Sequence, residues 1–275
     1  MPEVRDEQGR RWGLRRHLRL IGASLRVSLL AALEYRVGFW SEALIGMLWS
    51  AAGMVPLLVA FEHRSEVGGW SGGQVVMLAG FYMMLAGTFA ALLQPALFAT
   101  MDHIRRGTLD YVLLRPVDSL VSSLVSAFAP WSLLEVLAGA GVVTFAALQL
   151  DLHPGPAELA SLAAALLSGF LALYALGVLV LSLSFRAMQL QNLAFLMESM
   201  LELARWPITV FRGPLRLLFT FLIPFAVMTS YPAQALFGTL GPRVLLGALA
   251  STAALALLAR LAWQRGLRGY TSASS

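Results

Sequence analysis

Long apolar runs separated by short polar segments divide the sequence into candidate membrane spans. A helix needs roughly 20 mostly apolar residues to cross the hydrocarbon core of a membrane, and several uncharged stretches reach that length. We therefore predict an all-α polytopic membrane protein, with one six-helix transmembrane domain over residues 37–265 and tails at 1–36 and 266–275. The predicted spans cover about residues 37–61, 75–98, 119–148, 157–185, 187–205 and 242–263.

The placement of arginine orients these spans. Loops rich in positive charge stay on the cytoplasmic side of a membrane. Eight arginines precede residue 37, three lie in the loop at 99–118 and three more lie at 260–268, whereas residues 151–158 contain none. Both termini are therefore predicted to be cytoplasmic. That arrangement requires an even number of crossings, and six is the economical count.

Residues 10–33 begin with an arginine pair and then turn apolar, a pattern that a signal peptide would share. At helical spacing, however, Leu14 and Leu18 fall on one face, whereas Arg15 and Arg19 fall on the other. A helix of this kind lies along a membrane surface with its arginines among anionic headgroups. We predict an uncleaved N-terminal amphipathic helix on the inner surface.

The region from residue 187 to 241 is too long for one span and is interrupted by Pro207, Pro214, Pro224 and Pro232. Two arrangements keep both termini on the same side. Either 187–205 crosses and residues 206–238 form a re-entrant pair on the outer side, or 187–205 is a cytoplasmic surface helix and 217–236 crosses instead. The arginines between 205 and 216 mildly favour the surface helix.

Composition supports the membrane assignment and excludes several classes of chemistry. Apolar residues make up 58% of the chain and charged residues only 13%, about half of the usual share. The net charge of +5 would suggest nucleic acid in a soluble protein. Here the arginines lie between apolar runs, so we expect membrane lipids and no nucleic acid as partners.

The residue types that the sequence lacks exclude further kinds of catalytic and metal site. The chain has no cysteine, and all 20 of its basic residues are arginine. Without lysine it has neither a Walker A lysine nor a Schiff-base lysine. The four histidines are scattered over different loops with no HExxH pair, so we predict no metal site, no catalytic residue and no cofactor bound by this chain.

Residues 104–118, IRRGTLDYVLLRPVD, resemble the cytoplasmic loop of ABC-2 type transporter permeases, in the subgroup with an rGtLD…LLRP pattern between spans two and three. Residues 204–207, 213–214 and 223–226 are similar to the outer re-entrant region that follows span five in that family. This resemblance favours a crossing at 187–205 and a re-entrant outer segment between spans five and six. We adopt that arrangement.

The resemblance implies the permease subunit of an ATP-binding cassette (ABC) transporter, an exporter that forms the translocation path and has no ATPase site of its own. It implies a separate ABC ATPase subunit, present in two copies and binding ATP and Mg²⁺. It also implies a second permease copy or a related permease as partner, and the bacterial cytoplasmic (inner) membrane as the location. The absence of lysine agrees, because the motor must then come from another chain.

The loop between spans two and three is the predicted contact with the ATPase. Gly107 is suited to end a short helix, and Thr108 or Asp110 to cap the next turn. The alternative is that the arginines only fix the topology through phosphate contacts. The candidate coupling residues are Ile104, Arg105, Arg106, Gly107, Thr108, Leu109, Asp110, Tyr111, Arg115 and Pro116, among which Ile104, Leu109 and Tyr111 offer apolar contacts.

Polar side chains within the spans are costly and tend to face protein or water. Gln191, Glu198, Glu202 and Arg205 share one face of the fifth predicted span, and Glu202 and Arg205 are spaced to pair at i,i+3. We predict that this face lines the pathway or the dimer interface. The alternative is an interhelical hydrogen-bond network. Glu135 in the third span is a further candidate for the pathway or interface, although a lone acid is more often bonded to a neighbouring helix than to a ligand.

Two further classes remain as alternatives to an ABC permease. A secondary transporter would show inverted repeats and broken helices at corresponding places in its two halves, and the sequence has only one proline-broken region. An intramembrane lipid-modifying enzyme would need clustered His, Asp and Glu at one membrane face, which the sequence lacks. Small residues such as Gly80, Gly139 and Gly141 are predicted to serve close helix packing.

Overall fold

Helices make up nearly all regular structure in the computed structural model, which describes residues 22–23, 26–32, 34–62, 66–114, 119–120, 127–185 and 190–268. They are α1 (Arg36–Glu62), α2 (Gly72–Arg105, with a π-helical turn at Phe89–Leu93), α3 (Leu109–Leu113), α4 (Leu133–Gln149), α5 (Pro156–Ser184), α6 (Leu190–Leu201), α7 (Pro214–Leu217), α8 (Tyr231–Leu236) and α9 (Pro242–Arg268). A two-residue hairpin, β1 (Glu66–Val67) and β2 (Trp70–Ser71), joins α1 to α2.

Four of the described helices are long and apolar enough to cross a membrane. They are Gly72–Arg105, Pro130–Gln149, Pro156–Ser184 and Pro242–Arg268. α1 is also 27 residues long, whereas α6 has 12 residues followed by a 3-10 turn at Glu202–Arg205. The predicted all-α membrane fold is confirmed at this level, and the six crossings stay a prediction.

One end of the molecule is named the hairpin end here, after the hairpin that lies there. The Thr209 hydroxyl donates to the Gly68 carbonyl at 2.6 Å. The Trp70 and Phe237 rings pack with centroids 5.8 Å apart, and Leu150 packs against the same apolar cluster. The hairpin, the α4–α5 connection, the segment after α6 and the α8–α9 connection therefore meet here.

The opposite end is named the loop end here, after the loop that follows α2. The Phe185 and Trp263 rings lie 5.3 Å apart, and the Trp263 indole donates to the Ser119 hydroxyl at 3.2 Å. Ser119 follows the loop that begins at the end of α2, so this loop meets the end of α9 here. The chain thus passes alternately between the two ends along α1, α2, α4, α5, α6 and α9.

The third predicted span is not one continuous helix. Residues 119–120 are helical, residues 127–129 are not, and a 3-10 turn at Pro130–Ser132 precedes α4. Proline disfavours helical geometry in the residue before it, and Ala129 has φ −110° and ψ 87°. Its amide donates to the Ala91 carbonyl in the π-helical turn of α2 at 2.9 Å. The neighbouring helix thus supplies the hydrogen-bond acceptor for this amide at the break.

The proline-rich segment forms two short helical pieces instead of one long helix. α7 continues as a π-helical turn at Leu218–Leu222, and a second such turn at Ala226–Ser230 leads into α8. Each piece is too short to cross a membrane alone. The second turn is fully buried, and a Cβ at Gly169 of α5 would lie 3.1 Å from the Val227 carbonyl oxygen. A side chain at this position would force the two backbones apart by a few tenths of an ångström.

α2 and α4 pack backbone to backbone through Gly80 and Gly139, as predicted. A Cβ at Gly139 would lie 2.6 Å from the Gly80 carbonyl oxygen and 2.8 Å from the Met84 amide nitrogen. The predicted close packing is not seen at Gly141, because a Cβ there would meet no atom of the described residues within 4 Å. It lies on the opposite face of α4, away from α2.

The predicted amphipathic surface helix falls largely outside the described residues. Residues 22–23 and 26–32 are helical, and Val27 and Leu30 are exposed there. Leu14, Leu18 and the arginines between residues 10 and 19 lie outside this range, so the surface helix stays a prediction.

Candidate functional site

A cavity of about 770 Å³ lies between α1, α2, the start of α4 and α6, and is named the central cavity here. It brings together Glu135, Glu198, Glu202 and Arg205, four of the five intramembrane polar residues that the sequence singled out. The side chain of Gln191 lies outside the described part of the chain. Residues that sequence analysis missed complete the lining, including Glu42, Ser50, Gly53, Tyr82 and Gln94.

Arg205 connects three elements in the wall of the central cavity. Its guanidinium pairs with the Glu202 carboxylate at 2.9 Å, which confirms the predicted i,i+3 geometry. It also donates to the Gly53 carbonyl of α1 at 2.7 Å and lies 5.5 Å from the centroid of the Tyr82 ring of α2. The side chain is only 13% exposed, so these contacts replace water around a buried charge.

The approach of Arg205 depends on the residue that it meets on α1. A Cβ at Gly53 would lie 3.1 Å from the nearer guanidinium nitrogen, which is tighter than an ordinary contact. A larger side chain would push the guanidinium away from the carbonyl. Glycine at this position therefore leaves room for the Arg205 guanidinium beside the α1 backbone.

Glu135 connects α4 to α1, as expected of a lone acid in a span. The Ser50 hydroxyl donates to its Oε1 atom, and the residue is only 7% exposed. No N–H or O–H group of the described residues donates to Oε2. One oxygen of this carboxylate thus has a partner among the described residues, the other has none there, and the residue lines the cavity.

Glu198 accepts a hydrogen bond from an uncharged side chain of α2. The Gln94 side-chain amide donates to its Oε2 at 3.3 Å. Gln94 and Ser50 are polar residues within otherwise apolar runs, which is the signal that could have identified them from the sequence. Glu42 offers a comparable signal, because it is a charge near the start of the first predicted span.

The loop between α2 and α4 contains a well-defined helix end. Gly107 has φ +66°, and the Thr108 amide donates to the His103 carbonyl at 2.9 Å. The prediction that Gly107 ends the helix is confirmed. The Thr108 side chain contacts the His103 ring at 2.9 Å, so it bonds back to α2.

The two arginines of this loop share one acid. Arg105 and Arg106 both pair with Asp102, at 3.0 and 2.9 Å. Sequence analysis missed Asp102, although its i,i+3 and i,i+4 spacing to the arginines was readable. These pairs are largely exposed, so each contributes little to stability. Their effect is to hold both arginines close to the last turn of α2.

The exposure of the loop's apolar residues corrects one expectation. Leu109 is 0% exposed, whereas Tyr111 is 74% and Leu114 is 80% exposed. Leu109 therefore packs inside this chain and is not available to a partner. Among the described side chains of α3 and its end, Tyr111 and Leu114 are the large apolar ones that face outward. Arg115 and Pro116 lie outside the described residues.

Comparison with known proteins identifies the family. A family model described as ABC-2 family transporter protein matches residues 47–274. No curated protein and no solved structure matches the chain. The matched range includes the loop at 104–114 and most of the central cavity. Because the match extends over most of the sequence, the chain belongs to the ABC-2 family of transporter proteins.

Proposed function

We propose that this multi-pass membrane permease works as an ABC exporter and is driven by two copies of a separate ATPase subunit. The family match over residues 47–274 carries the proposal, because ABC-2 permeases are transport subunits that generally lack an ATPase site. The absence of lysine supports it, since this chain cannot supply a Walker A lysine. ATP and Mg²⁺ would then bind only to the partner.

The proposed topology places the protein in the bacterial cytoplasmic membrane, with six crossings and both termini in the cytoplasm. The alternation of α1, α2, α4, α5, α6 and α9 between the two ends supports an even count. The loop end has Arg105 and Arg106 after α2 and Arg265 and Arg268 at the end of α9, whereas the α4–α5 connection at the hairpin end has no arginine, so the loop end would be cytoplasmic. The pieces α7 and α8 would form the re-entrant segment at the hairpin end.

Cysteine labelling is expected to confirm this orientation. The chain has no natural cysteine, and Gly213 has φ +56°, so the exposed neighbour Arg212 is the better position for a substitution. Arg212→Cys should react with an impermeant maleimide added to intact cells. Tyr111→Cys should react only after permeabilisation. The reverse pattern, or labelling of Arg212→Cys only after permeabilisation, would contradict the topology.

A second permease copy, or a related permease, is proposed to complete the central cavity. In the single chain, several large apolar residues of α1 are exposed, including Trp40, Leu44, Leu48 and Trp49. Trp49 also lines the cavity. A partner that covers this face would enclose the cavity between two subunits and shield its polar residues from lipid.

The loop at residues 104–116 is proposed to transmit force from the ATPase. Its end of α2 is fixed by the paired arginines and Gly107, and α3 follows immediately. Tyr111 and Leu114 project from it into solvent. A rigid turn with exposed apolar anchors suits docking in a groove on another protein.

The subunit composition of the native complex tests the proposed function. The tagged chain is isolated from its own membrane in mild detergent and weighed by native mass spectrometry. We expect two permease chains, identical or related, with two copies of a subunit that carries a Walker A motif. A complex without any nucleotide-binding subunit would contradict the proposal and favour a secondary transporter.

A further inference from the structure

We propose that the central cavity binds an organic cation, a positively charged amine or onium group attached to an apolar or aromatic body. The inference rests on the proposed function only in one respect, the identification of this cation as the transported substrate. The binding site itself is argued from the charges, hydrogen bonds and rings that line the cavity.

The first argument is the charge balance of the lining. Four carboxylates, those of Glu42, Glu135, Glu198 and Glu202, face one guanidinium, that of Arg205. Arg205 is paired with Glu202 at 2.9 Å. Among the described residues, no cationic side chain lies within ion-pair distance of the other three carboxylates. Among the described residues, the lining therefore has more carboxyl groups than cationic partners.

The second argument is the unpartnered oxygen of Glu135. The residue is 7% exposed, and Ser50 occupies only its Oε1 atom. A carboxylate oxygen without a donor from the described residues depends on what occupies the cavity for its hydrogen bond. A cationic N–H or onium group in the cavity would supply the missing interaction. This oxygen points to a ligand independently of how many acids surround it.

The third argument is the aromatic lining. Trp49, Tyr82, Phe89, Trp131 and Phe195 border the same cavity as the carboxylates. Aromatic faces attract cations, and a combination of rings with carboxylates is the usual recognition of organic ammonium groups. The chain's own guanidinium already lies against one of these rings, with Arg205 Cζ 5.5 Å from the Tyr82 centroid. The wall thus binds one cation within the structure itself.

The size of the cavity fits a small molecule. Its volume of about 770 Å³ lies in the range of roughly 300–1,000 Å³ that small-molecule sites occupy. The rings offer apolar contact area for the body of a ligand, and the carboxylates of Glu135 and Glu198 offer anchoring points for its charge. An inorganic cation would leave most of this apolar surface unused.

Binding of two probes of opposite charge tests the proposal. The purified full-length chain, without nucleotide or ATPase, is titrated with tetraphenylphosphonium and with tetraphenylborate, which has nearly the same size and shape. Trp49 and Trp131 line the cavity, so quenching of tryptophan fluorescence reports occupancy. We expect saturable phosphonium binding, at least about tenfold tighter than borate binding. Equal binding of both ions would overturn the proposal.

A variant that lacks the carboxylates of Glu135 and Glu198 tests whether these two groups bind the cation. Glu135→Gln combined with Glu198→Gln preserves side-chain size and is expected to weaken phosphonium binding by at least about tenfold. The control is Glu66→Gln, an exposed acid in the hairpin outside the cavity, which should bind as the unaltered chain does. Unchanged affinity in a folded double variant would overturn the assignment.

A second measurement avoids dependence on the folding of the double variant. Ser132→Cys places a single thiol in the cavity wall. Saturating phosphonium should slow its reaction with an uncharged maleimide several-fold, whereas borate should not. Identical protection by both ions, or protection by neither, would overturn the proposal.

The complex with the ATPase separates this inference from the proposed function. Phosphonium that binds the isolated chain but does not stimulate ATP hydrolysis by the complex would retain the cation site and contradict its role as the transport site. ATP-driven transport of another compound, without phosphonium binding to the chain, would retain the proposed function and overturn the cation site.

Discussion

Replacing Tyr111 and Leu114 together by alanine is expected to weaken association with the ATPase roughly 30-fold. Both side chains are exposed, and truncation of such anchors at an interface costs about 2 kcal/mol. Every arginine of the loop stays in place, so the topology of the membrane spans should not change. The measurement is the dissociation constant of the detergent-solubilised complex, together with its ATP hydrolysis.

Two control variants distinguish coupling from a general loss of structure. Phe145→Ala with Leu148→Ala truncates an equally exposed apolar pair on α4, close to the hairpin end, and should leave ATPase binding unchanged. Leu109→Ala removes a fully buried side chain and should lower the thermal midpoint of the chain itself. Normal assembly and hydrolysis in the Tyr111 and Leu114 variant would refute the coupling role.

Replacing Gly139 by valine is expected to lower the free energy of unfolding by about 3 kcal/mol. A Cβ there would lie 2.6 Å from the Gly80 carbonyl oxygen. The obstructing atoms are backbone, so α2 and α4 must move apart and lose their contact along the whole seam. The measurement is the thermal midpoint of the purified chain in a mild detergent.

Gly141→Val is the matched control for this substitution. It changes the same residue type on the same helix, and a Cβ there meets no described atom within 4 Å. Its midpoint should stay close to that of the unaltered chain. If the two variants lose equal stability, the close packing of α2 and α4 at Gly139 does not determine the stability of the fold.

The long helices were predictable because their signal is local. A long uncharged run has few alternatives to a membrane helix; α5 (Pro156–Ser184) lies over the predicted span at 157–185, and α2 and α9 contain the predicted spans at 75–98 and 242–263. The break before α4 was not predictable in the same way. Its cause is Pro130, but the non-helical residues before it are tolerated only because Ala91 of α2 accepts the Ala129 amide.

The candidate site was predictable only where its residues share one helix. The spacing of Glu198, Glu202 and Arg205 placed them on a common face, and all three line the central cavity. The contributions of Gly53 and Gln94 depend on how α1 and α2 pack against α6, which periodicity in a single segment cannot reveal. The same limit explains Leu109, because a five-residue helix has too few turns to indicate its buried face.

ATP hydrolysis is the most direct test of the central claim, that this permease is driven by a separate ATPase. The purified chain alone should hydrolyse no ATP, and the native complex should hydrolyse it at a rate abolished by substitution of the partner's Walker A lysine. Transport by vesicles containing the complex should stop with the same substitution. Hydrolysis by the verified pure chain, or transport that continues with the inactive partner, would contradict the account.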